Sequence, residues 1–158
     1  MAAKTRRSYS EADKERFAEQ RREQLEAMQR QIVEASTRLV AGDQWQAWLR
    51  FAGTFHAYSF ANQLLIWSQR PDASLVAGYR AWQAKGRQVQ KGETGIRIMA
   101  PVLARTEVLD KAGHPVLDET GKPKKSSRIV GVKPATCFDV TQTAGEPIPE
   151  RPRPQLLK

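Results

Sequence analysis

The sequence is poor in the residues that build covalent or metal-centred chemistry. Its 158 residues include one cysteine, Cys137, and two histidines, His56 and His114. A single cysteine excludes an internal disulfide and any zinc cluster of several cysteines. No apolar run approaches the ~18 residues of a membrane span, and the charged N-terminus lacks the apolar stretch of a secretory signal. We therefore expect a cytoplasmic protein without a metal, a cofactor or a membrane segment.

Motifs of enzymatic chemistry are also missing. The sequence has no HExxH helix, no GxSxG elbow and no Walker loop. Cys137 lies in an apolar strand pattern, which favours a small core residue over a nucleophile. Asp139 is a lone carboxylate without an evident partner. These observations predict a binding protein and not an enzyme.

Negative charge is scarce: 26 Lys and Arg accompany 17 Asp and Glu, a net charge of +9. Such a surplus favours a polyanionic partner, nucleic acid above all. Residues 41–100 carry a net charge of +4, and residues 80–97 supply all of it. Nine of the twelve aromatic residues lie at 45–82. Cations that follow phosphates, next to rings that stack on bases, are typical of single-strand binding. The cluster consists of Arg80, Lys85, Arg87, Lys91 and Arg97, with Glu93 as its one acid.

The first 40 residues have the pattern of a long, charged helix. Ser10 is a suitable start, and the helical pattern continues to Val40. Its apolar stripe, at spacings of three and four, consists of Leu25, Met28, Ile32, Ala35 and Leu39. Opposite charges alternate at i, i+4 on another face. We expect a solvated helix over residues 1–40, frayed in its first turns, whose charges are structural.

Two further helices are predicted after Gly42. The first has Asp43 as its cap, and the second follows Ser59 and runs over residues 60–69. The core stripe of the first is expected to be Trp45, Trp48, Leu49 and Ala52. The second is mostly apolar and carries a polar strip of Asn62, Gln63, Gln69 and Arg70.

The remaining pattern is mixed. It predicts a short strand at 75–77, a helix at 79–85, a tight turn KGETG at 91–95, and a strand over 96–108 that pairs antiparallel with 128–140. Residues 109–127 are polar and are predicted to be a long mobile connection. Residues 145–158 hold four prolines and are expected to be a linker or tail. The fold class is therefore α+β: the long N-terminal helix, then a 41–144 domain of two to three helices on a small, mainly antiparallel sheet.

Three segments carry a family resemblance: YSFANQLLIW at 58–67, VAGYRAWQAKGRQVQKGETGIRIMAP at 76–101, and CFDVTQT at 137–143. Together, and in this order, they resemble the N-terminal, ArdC-like single-stranded-DNA-binding domain of ArdC-type antirestriction proteins. The resemblance covers roughly residues 40–149. It implies a compact α+β domain of plasmid or phage origin that binds single-stranded DNA with little sequence preference. Full-length relatives add a zinc metalloprotease-like domain. The chain ends after its proline-rich tail, so we expect no protease activity from it.

Eleven residues are candidates for binding single-stranded DNA. Lys91 and Thr94 belong to the glycine-containing turn, whose amides are suited to an anion, although an ordinary turn would need its glycines too. Tyr79 and Tyr58 are candidates for stacking, and Trp82 shares a face with Tyr79 but is the better core residue. The full set is Tyr58, Asn62, Gln63, Arg70, Tyr79, Trp82, Lys85, Arg87, Lys91, Thr94 and Arg97.

Two other functions remain open. The long amphipathic helix could dock a protein partner or a second copy of the chain, and the basic, aromatic-rich cluster could bind RNA. Binding that is insensitive to salt would favour the first alternative, because phosphate contacts depend on salt. Competition between matched DNA and RNA oligonucleotides would decide the second.

Overall fold

The computed structural model describes residues 9–149, which fall into two compact units. The first unit combines the chain up to Arg30 with Met99–Ala135, and the second combines Gln31–Ile98 with the chain from Thr136 onward. Helices occur together with small antiparallel pairings, so the predicted α+β class is confirmed.

Three helices come first along the chain, and four of the five strands follow the short fourth helix. The helices are α1 (Glu11–Ala41), α2 (Trp45–Thr54), α3 (Phe60–Gln69) and α4 (Tyr79–Ala84). The strands are β1 (Val76–Gly78), β2 (Arg87–Val89), β3 (Ile96–Glu107), β4 (Lys125–Asp139) and β5 (Thr143–Gly145), with a 3₁₀ turn at Val140–Gln142. Strand β4 lies between β1 and β3 in one sheet, and β2 pairs with β5 in a second. The pairing of β3 with β4 was predicted, whereas the small second sheet was not.

Helix α1 begins where the sequence indicated. The amide of Asp13 donates to Oγ of Ser10 at 3.1 Å, and Ser10 Oγ donates to Asp13 Oδ2 at 2.8 Å. This is the N-cap arrangement that satisfies amides left free at a helix start. Met28, Ala35 and Leu39 are buried, which confirms the predicted apolar stripe.

The face that α2 buries differs from the predicted one. Trp45 and Leu49 are 50% and 53% exposed, so their placement in the core was wrong. The buried stripe is instead Trp48, Phe51 and Phe55, because three aromatic rings at this spacing remove more apolar surface from water. The helix also begins after Gln44 without a side-chain cap, so Asp43 does not cap it.

Helices α3 and α4 follow their local signals. Ser59 Oγ accepts from the amide of Asn62 at 3.2 Å and caps α3, as predicted. Gly78 precedes α4, and Gly86 follows it with φ +73, a conformation that favours glycine after a helix end. Apolar residues of α1, α2, α3, β1, β3 and β4 form the core of the second unit.

The connection between β3 and β4 is a tandem repeat and not an irregular loop. Residues 108–115 (VLDKAGHP) and 116–123 (VLDETGKP) share five of eight positions. In each copy the aspartate Oδ1 accepts amides two and four residues later, at 2.8–3.1 Å. Three bonds close the repeats into a ring: Val116 N to Val108 O (2.8 Å), Lys124 N to Val116 O (2.7 Å), and Val108 N to Lys124 O (2.9 Å).

The segment after the 3₁₀ turn also differs from the predicted linker at its start. Gly145 belongs to β5, opposite Arg87 of β2, so residues 143–145 are part of a sheet. Residues 150–158, the rest of the predicted tail, lie outside the described residues, as do residues 1–8 of the predicted N-terminal helix. No helix in the described range combines the length and apolar character that crossing a bilayer needs.

Candidate nucleic-acid interface

A buried glutamine fixes the turn that connects β2 to β3. Gln142 is 1% exposed, and its Nε2 donates to the carbonyl of Thr94 at 2.7 Å and to Glu93 Oε2 at 2.9 Å. The backbone carbonyl of Gln142 accepts from the amide of Gln90 at 2.9 Å. Because a buried side-chain amide needs these partners, the turn at residues 90–95 is held in one position against the 3₁₀ turn.

The end of α3 fixes the next segment in a similar way. Gln69 Nε2 donates to the carbonyl of Arg97 at 2.8 Å, and Gln69 Oε1 accepts from the amide of Arg97 at 2.9 Å. The neighbouring Arg70 donates from Nη2 to Thr141 Oγ1 at 3.1 Å. The end of α3, the turn and the 3₁₀ turn therefore meet at one place.

Lys91, Thr94 and Arg97 are exposed at this meeting point, as are Gln90 and Glu93 of the same turn. Neither Lys91 nor Arg97 forms an ion pair with any residue of the described chain. Glu93, the nearest acid in sequence, is held by Gln142. We call Arg70, Lys91, Thr94 and Arg97 the turn interface. Two of its cations, Lys91 and Arg97, lack an ion pair among the described residues and stand on backbone held by Gln142 and Gln69. The third, Arg70, lies 4.0 Å from the carboxylate of Asp72.

The backbone of the turn has donors to offer. Within residues 9–149 the amides of Lys91, Gly92 and Thr94 donate to no protein group. Gly92 has φ +86, and a Cβ on Gly95 would clash with Cγ2 of Thr136 and lie 3.3 Å from the ring of Phe138. Gly92 therefore supplies the turn's left-handed conformation, and Gly95 permits the close approach of β4. Free amides next to a lysine are suited to an anion.

Tyr79 is an exposed ring that Phe138 connects to the turn at residues 90–95. Its ring is 45% exposed and meets Phe138 edge-on, with centroids 6.4 Å apart. Phe138 is the ring against which Gly95 packs, so one ring separates Tyr79 from the turn. The Tyr79 hydroxyl accepts from Gln88 Nε2 at 2.7 Å, which fixes the ring's orientation while leaving much of it accessible.

Arg87 has a structural role and does not join the turn interface. It donates to Thr143 Oγ1 at 2.8 Å and to the carbonyls of Thr143, Gly145 and Glu146 at 3.0, 3.3 and 2.5 Å. The guanidinium therefore ties the start of β2 to β5. An arginine with four protein acceptors has few donors left for phosphate, so its predicted binding role is not supported.

Trp82 and Gln63 are in the interior. Trp82 is 0% exposed, and its Nε1 donates to the carbonyl of Phe138 at 2.9 Å. Gln63 is 9% exposed, and its Nε2 donates to the carbonyl of Phe55 at 2.8 Å. Neither can meet a base without unfolding its surroundings. Burial does not support their predicted contact with nucleic acid, and hydrogen bonds at their polar tips allow both side chains to be buried.

Tyr58 and Asn62 lie at the start of α3. The Tyr58 hydroxyl donates to the carbonyl of Val76 at 3.1 Å, and the ring packs against the core beside Phe55. Asn62 is half-buried, and its amide takes part in the Ser59 cap. The geometry gives Tyr58 a packing role in place of the predicted stacking role, and it places Asn62 in the cap network.

Lys85 is exposed but belongs to another surface. It lines a cleft of about 710 Å³ with residues of the α2 end, the segment before β1, the 3₁₀ turn and the chain after β5. No contact connects it to the turn interface in the described chain. Of the eleven predicted residues, the structure thus brings together Arg70, Lys91, Thr94 and Arg97, and Phe138 lies between Tyr79 and the turn.

Asp139 is the residue that sequence reasoning missed most clearly. It is 0% exposed, and it accepts from the amides of Ser74, Leu75 and Thr141 and from Thr141 Oγ1, at 2.6–3.1 Å. Burial raises the pKa of this carboxyl, but the hydrogen bonds from Thr141, Ser74 and Leu75 outweigh burial and hold the pKa below its ordinary value. Asp139 and Gln142 form a capping box, whose D-x-x-Q signature was present in the sequence.

The cysteine is buried, whereas both histidines lie at the surface. Cys137 is 3% exposed, and burial raises the pKa of its thiol to about 12, which confirms its interpretation as a core residue. His56 and His114 are exposed. Within residues 9–149 no three His, Cys, Asp or Glu side chains are grouped as metal ligands.

The fold and the site define a small α+β domain with a cationic turn. The family model for the N-terminal domain of anti-restriction factor ArdC matches residues 13–138, so the chain belongs to this family, as the resemblance predicted. Among solved structures, the metal-free antirestriction ArdC protein from the R388 plasmid is similar, at 21% identity and a TM-score of 0.36. That match covers 65% of this chain and 41% of the R388 protein. No curated protein gives a significant match.

Proposed function

We propose that this domain binds single-stranded DNA, with little sequence preference, at the turn interface. The observation that carries the proposal is that Lys91 and Arg97 are exposed, lack ion pairs in the described chain, and stand on backbone fixed by Gln142 and Gln69. Binding at a preorganised surface loses little conformational entropy in the protein. Phosphates are therefore the natural ligands of these side chains and of the turn's free amides.

Tyr79 supports the choice of a single strand over a duplex. An exposed ring held by Gln88 can stack on an unpaired base, and such stacking contributes ~1–3 kcal/mol per base with little regard to sequence. The bases of a duplex are already stacked on each other, so they gain less from this ring. Cations and a ring on neighbouring segments of one unit are the combination that single-strand sites use.

The biological role follows from the family. The ArdC name denotes antirestriction, and a domain that covers incoming single strands in the cytoplasm would serve that role without catalysis. A further domain of the same polypeptide, or another protein, is a proposed partner. A non-enzymatic role for the domain is part of the proposal.

Fluorescence anisotropy tests the proposal. A labelled dT oligonucleotide, a mixed-sequence single strand and the matching duplex are titrated with protein over a series of salt concentrations. We expect both single strands to bind with similar affinity, more tightly than the duplex, and binding to weaken as salt rises. Failure of both single strands to bind, or binding that does not change with salt, would contradict the proposal. An RNA strand of the same sequence, used as competitor, shows whether the site distinguishes the two sugars.

A further inference from the structure

The first unit contains a two-stranded ribbon with unusually open surfaces. We use "the ribbon" for residues 101–107 of β3 and 125–133 of β4. Every ribbon residue of β4 is exposed, including Ile129 at 65% and Val132 at 49%. A Cβ built on Gly131 would meet nothing within 4 Å. In the described part of the chain, both faces of β4 therefore lack cover along the ribbon.

The ribbon and its tip carry a cationic surplus. Residues 99–135 contain seven Lys and Arg and four Asp and Glu. Two of the acids, Asp110 and Asp118, are occupied by backbone amides of the tandem repeat. Hydrogen bonds from Thr120 and Lys122 lower the pKa of Asp118, so it stays charged but is already engaged.

The cations of the ribbon are left without such partners. Among described residues, no ion pair or hydrogen bond engages the side chain of Arg105, Lys125, Arg128 or Lys133. Side chains alternate between the two faces of a strand, so Lys125 and Lys133 lie on one face of β4 and Arg128 on the other. The ribbon thus presents positive charge on both of its faces.

The tip holds the two strands together. The ring of hydrogen bonds through Val108, Val116 and Lys124 closes the end of the ribbon. The two strands are therefore connected by hydrogen-bonded turns. Nine residues of β4 extend roughly 30 Å at about 3.3 Å each. This length is close to one turn of B-form DNA, about 34 Å.

We propose that the ribbon is a second nucleic-acid contact, which enters the major groove of duplex DNA. That groove is about 12 Å wide and accepts a two-stranded β-ribbon, and phosphates line both of its walls. Charge on both faces of the ribbon matches this environment, whereas a flat protein surface would meet one face only. The exposed Ile129 and Val132 can contact thymine methyl groups in the groove. The activity is independent of single-strand binding at the turn interface.

A triple substitution tests the proposal in the full chain: Lys125→Gln, Arg128→Gln and Lys133→Gln. All three side chains are exposed, so the fold should tolerate the change, and an unchanged thermal midpoint verifies it. The matched control is Arg21→Gln, Arg30→Gln and Arg50→Gln, which removes the same charge from exposed helix positions. Anisotropy is measured with a 20-base-pair duplex and with a dT oligonucleotide, at several salt concentrations.

We expect the ribbon variant to bind duplex at least about tenfold more weakly at low salt. The slope of log affinity against log salt should decrease in magnitude by about 2.7, because each of three lost phosphate contacts contributes about 0.9. Binding to dT should stay within twofold of wild type, and the control should retain duplex binding. Equal loss in the control, unchanged duplex binding, or parallel loss of dT binding would each overturn the proposal. A concentration-dependent dimer abolished by Ile129→Ser would also overturn it, since a second copy would then occupy the ribbon.

Failure here is distinguishable from failure of the turn interface. If the wild type does not bind dT, the proposal of single-strand binding at the turn interface fails. Duplex binding by the wild type, the ribbon variant and the control variant still tests the ribbon proposal.

Discussion

Gln69 holds both sides of one residue, Arg97, by donating to its carbonyl at 2.8 Å and accepting from its amide at 2.9 Å. A side-chain amide used in this way extends the hydrogen-bonding pattern of a sheet to a helix end. It places the Arg97 side chain, which is exposed, at a fixed point beside the turn at residues 90–95. The binding surface that we propose depends on this anchoring as much as on the charges.

Replacing that anchor should weaken both stability and binding. Gln69→Ala removes three hydrogen bonds to the backbone, one with Leu65 and two with Arg97. Each is worth about 0.5–1.5 kcal/mol, so the free energy of unfolding in urea should fall by about 1.5–4.5 kcal/mol. Single-strand affinity should fall as well, because Arg97 is no longer held. The matched control is Gln83→Ala, whose side chain is exposed and makes one long contact of 3.4 Å to Gln88. If the Gln69→Ala protein has wild-type stability, Gln69 does not anchor the backbone of Arg97.

Arg87 should behave as a structural residue despite its charge. Arg87→Ala removes four hydrogen bonds to residues 143–146, and we expect a loss of about 2–4 kcal/mol in unfolding free energy. The salt slope of single-strand binding should not change. Arg80→Ala, at an exposed position of α4, controls for the loss of one charge. A lower slope with unaltered stability would return Arg87 to the binding surface.

Tyr79 should contribute through its ring and not through its hydroxyl. Tyr79→Ala is expected to weaken binding to dT by the ~1–3 kcal/mol of one stacked base. Tyr79→Phe keeps the ring and loses the Gln88 contact, so it should bind within about threefold of wild type, the equivalent of ~0.6 kcal/mol. If both variants bind like wild type, no base stacks on this residue.

Asp139 should make the stability of the fold depend on pH in the acidic range. Its pKa in the folded chain is lowered, whereas an unfolded aspartate titrates near ~3.9. The stabilisation is therefore complete above about pH 4 and is lost as pH falls through the lower folded value. Asp139→Asn should be less stable than wild type at pH 7, and the difference should shrink below about pH 4. Urea midpoints at pH 7, 4 and 3 measure it, and a difference that does not depend on pH would contradict this assignment.

Much of the helical framework could be predicted from local signals. Ser10, Ser59 and Gly86 mark helix ends through their own hydrogen bonds or backbone conformation, so neighbouring residues suffice to locate them. The α2 face could not be chosen this way, because the segment from Trp45 to Phe55 fits two helical stripes. Burial of Phe51 and Phe55 decides between them, and that depends on what α2 packs against.

The candidate site was predictable in its charges but not in its supports. Lys91 and Arg97 stand out as cations beside a glycine turn, and both are exposed. Arg87 has the same charge in the same cluster, and only the three-residue pairing of β2 with β5 shows that its donors are used. Strands this short carry no periodicity. Gln142 acts on residues nearly 50 positions away, a distance at which sequence spacing gives no signal.

The charges of the turn interface provide the most direct test. Lys91→Gln with Arg97→Gln should lower the slope of log affinity against log salt by about 1.4, since each phosphate contributes about 0.7 on a single strand. Arg21→Gln with Arg30→Gln removes the same charge from α1 and should leave the slope unchanged. Thermal midpoints should agree among the three proteins. A double variant at positions 91 and 97 that keeps the wild-type slope and affinity for dT would contradict single-strand binding at this surface.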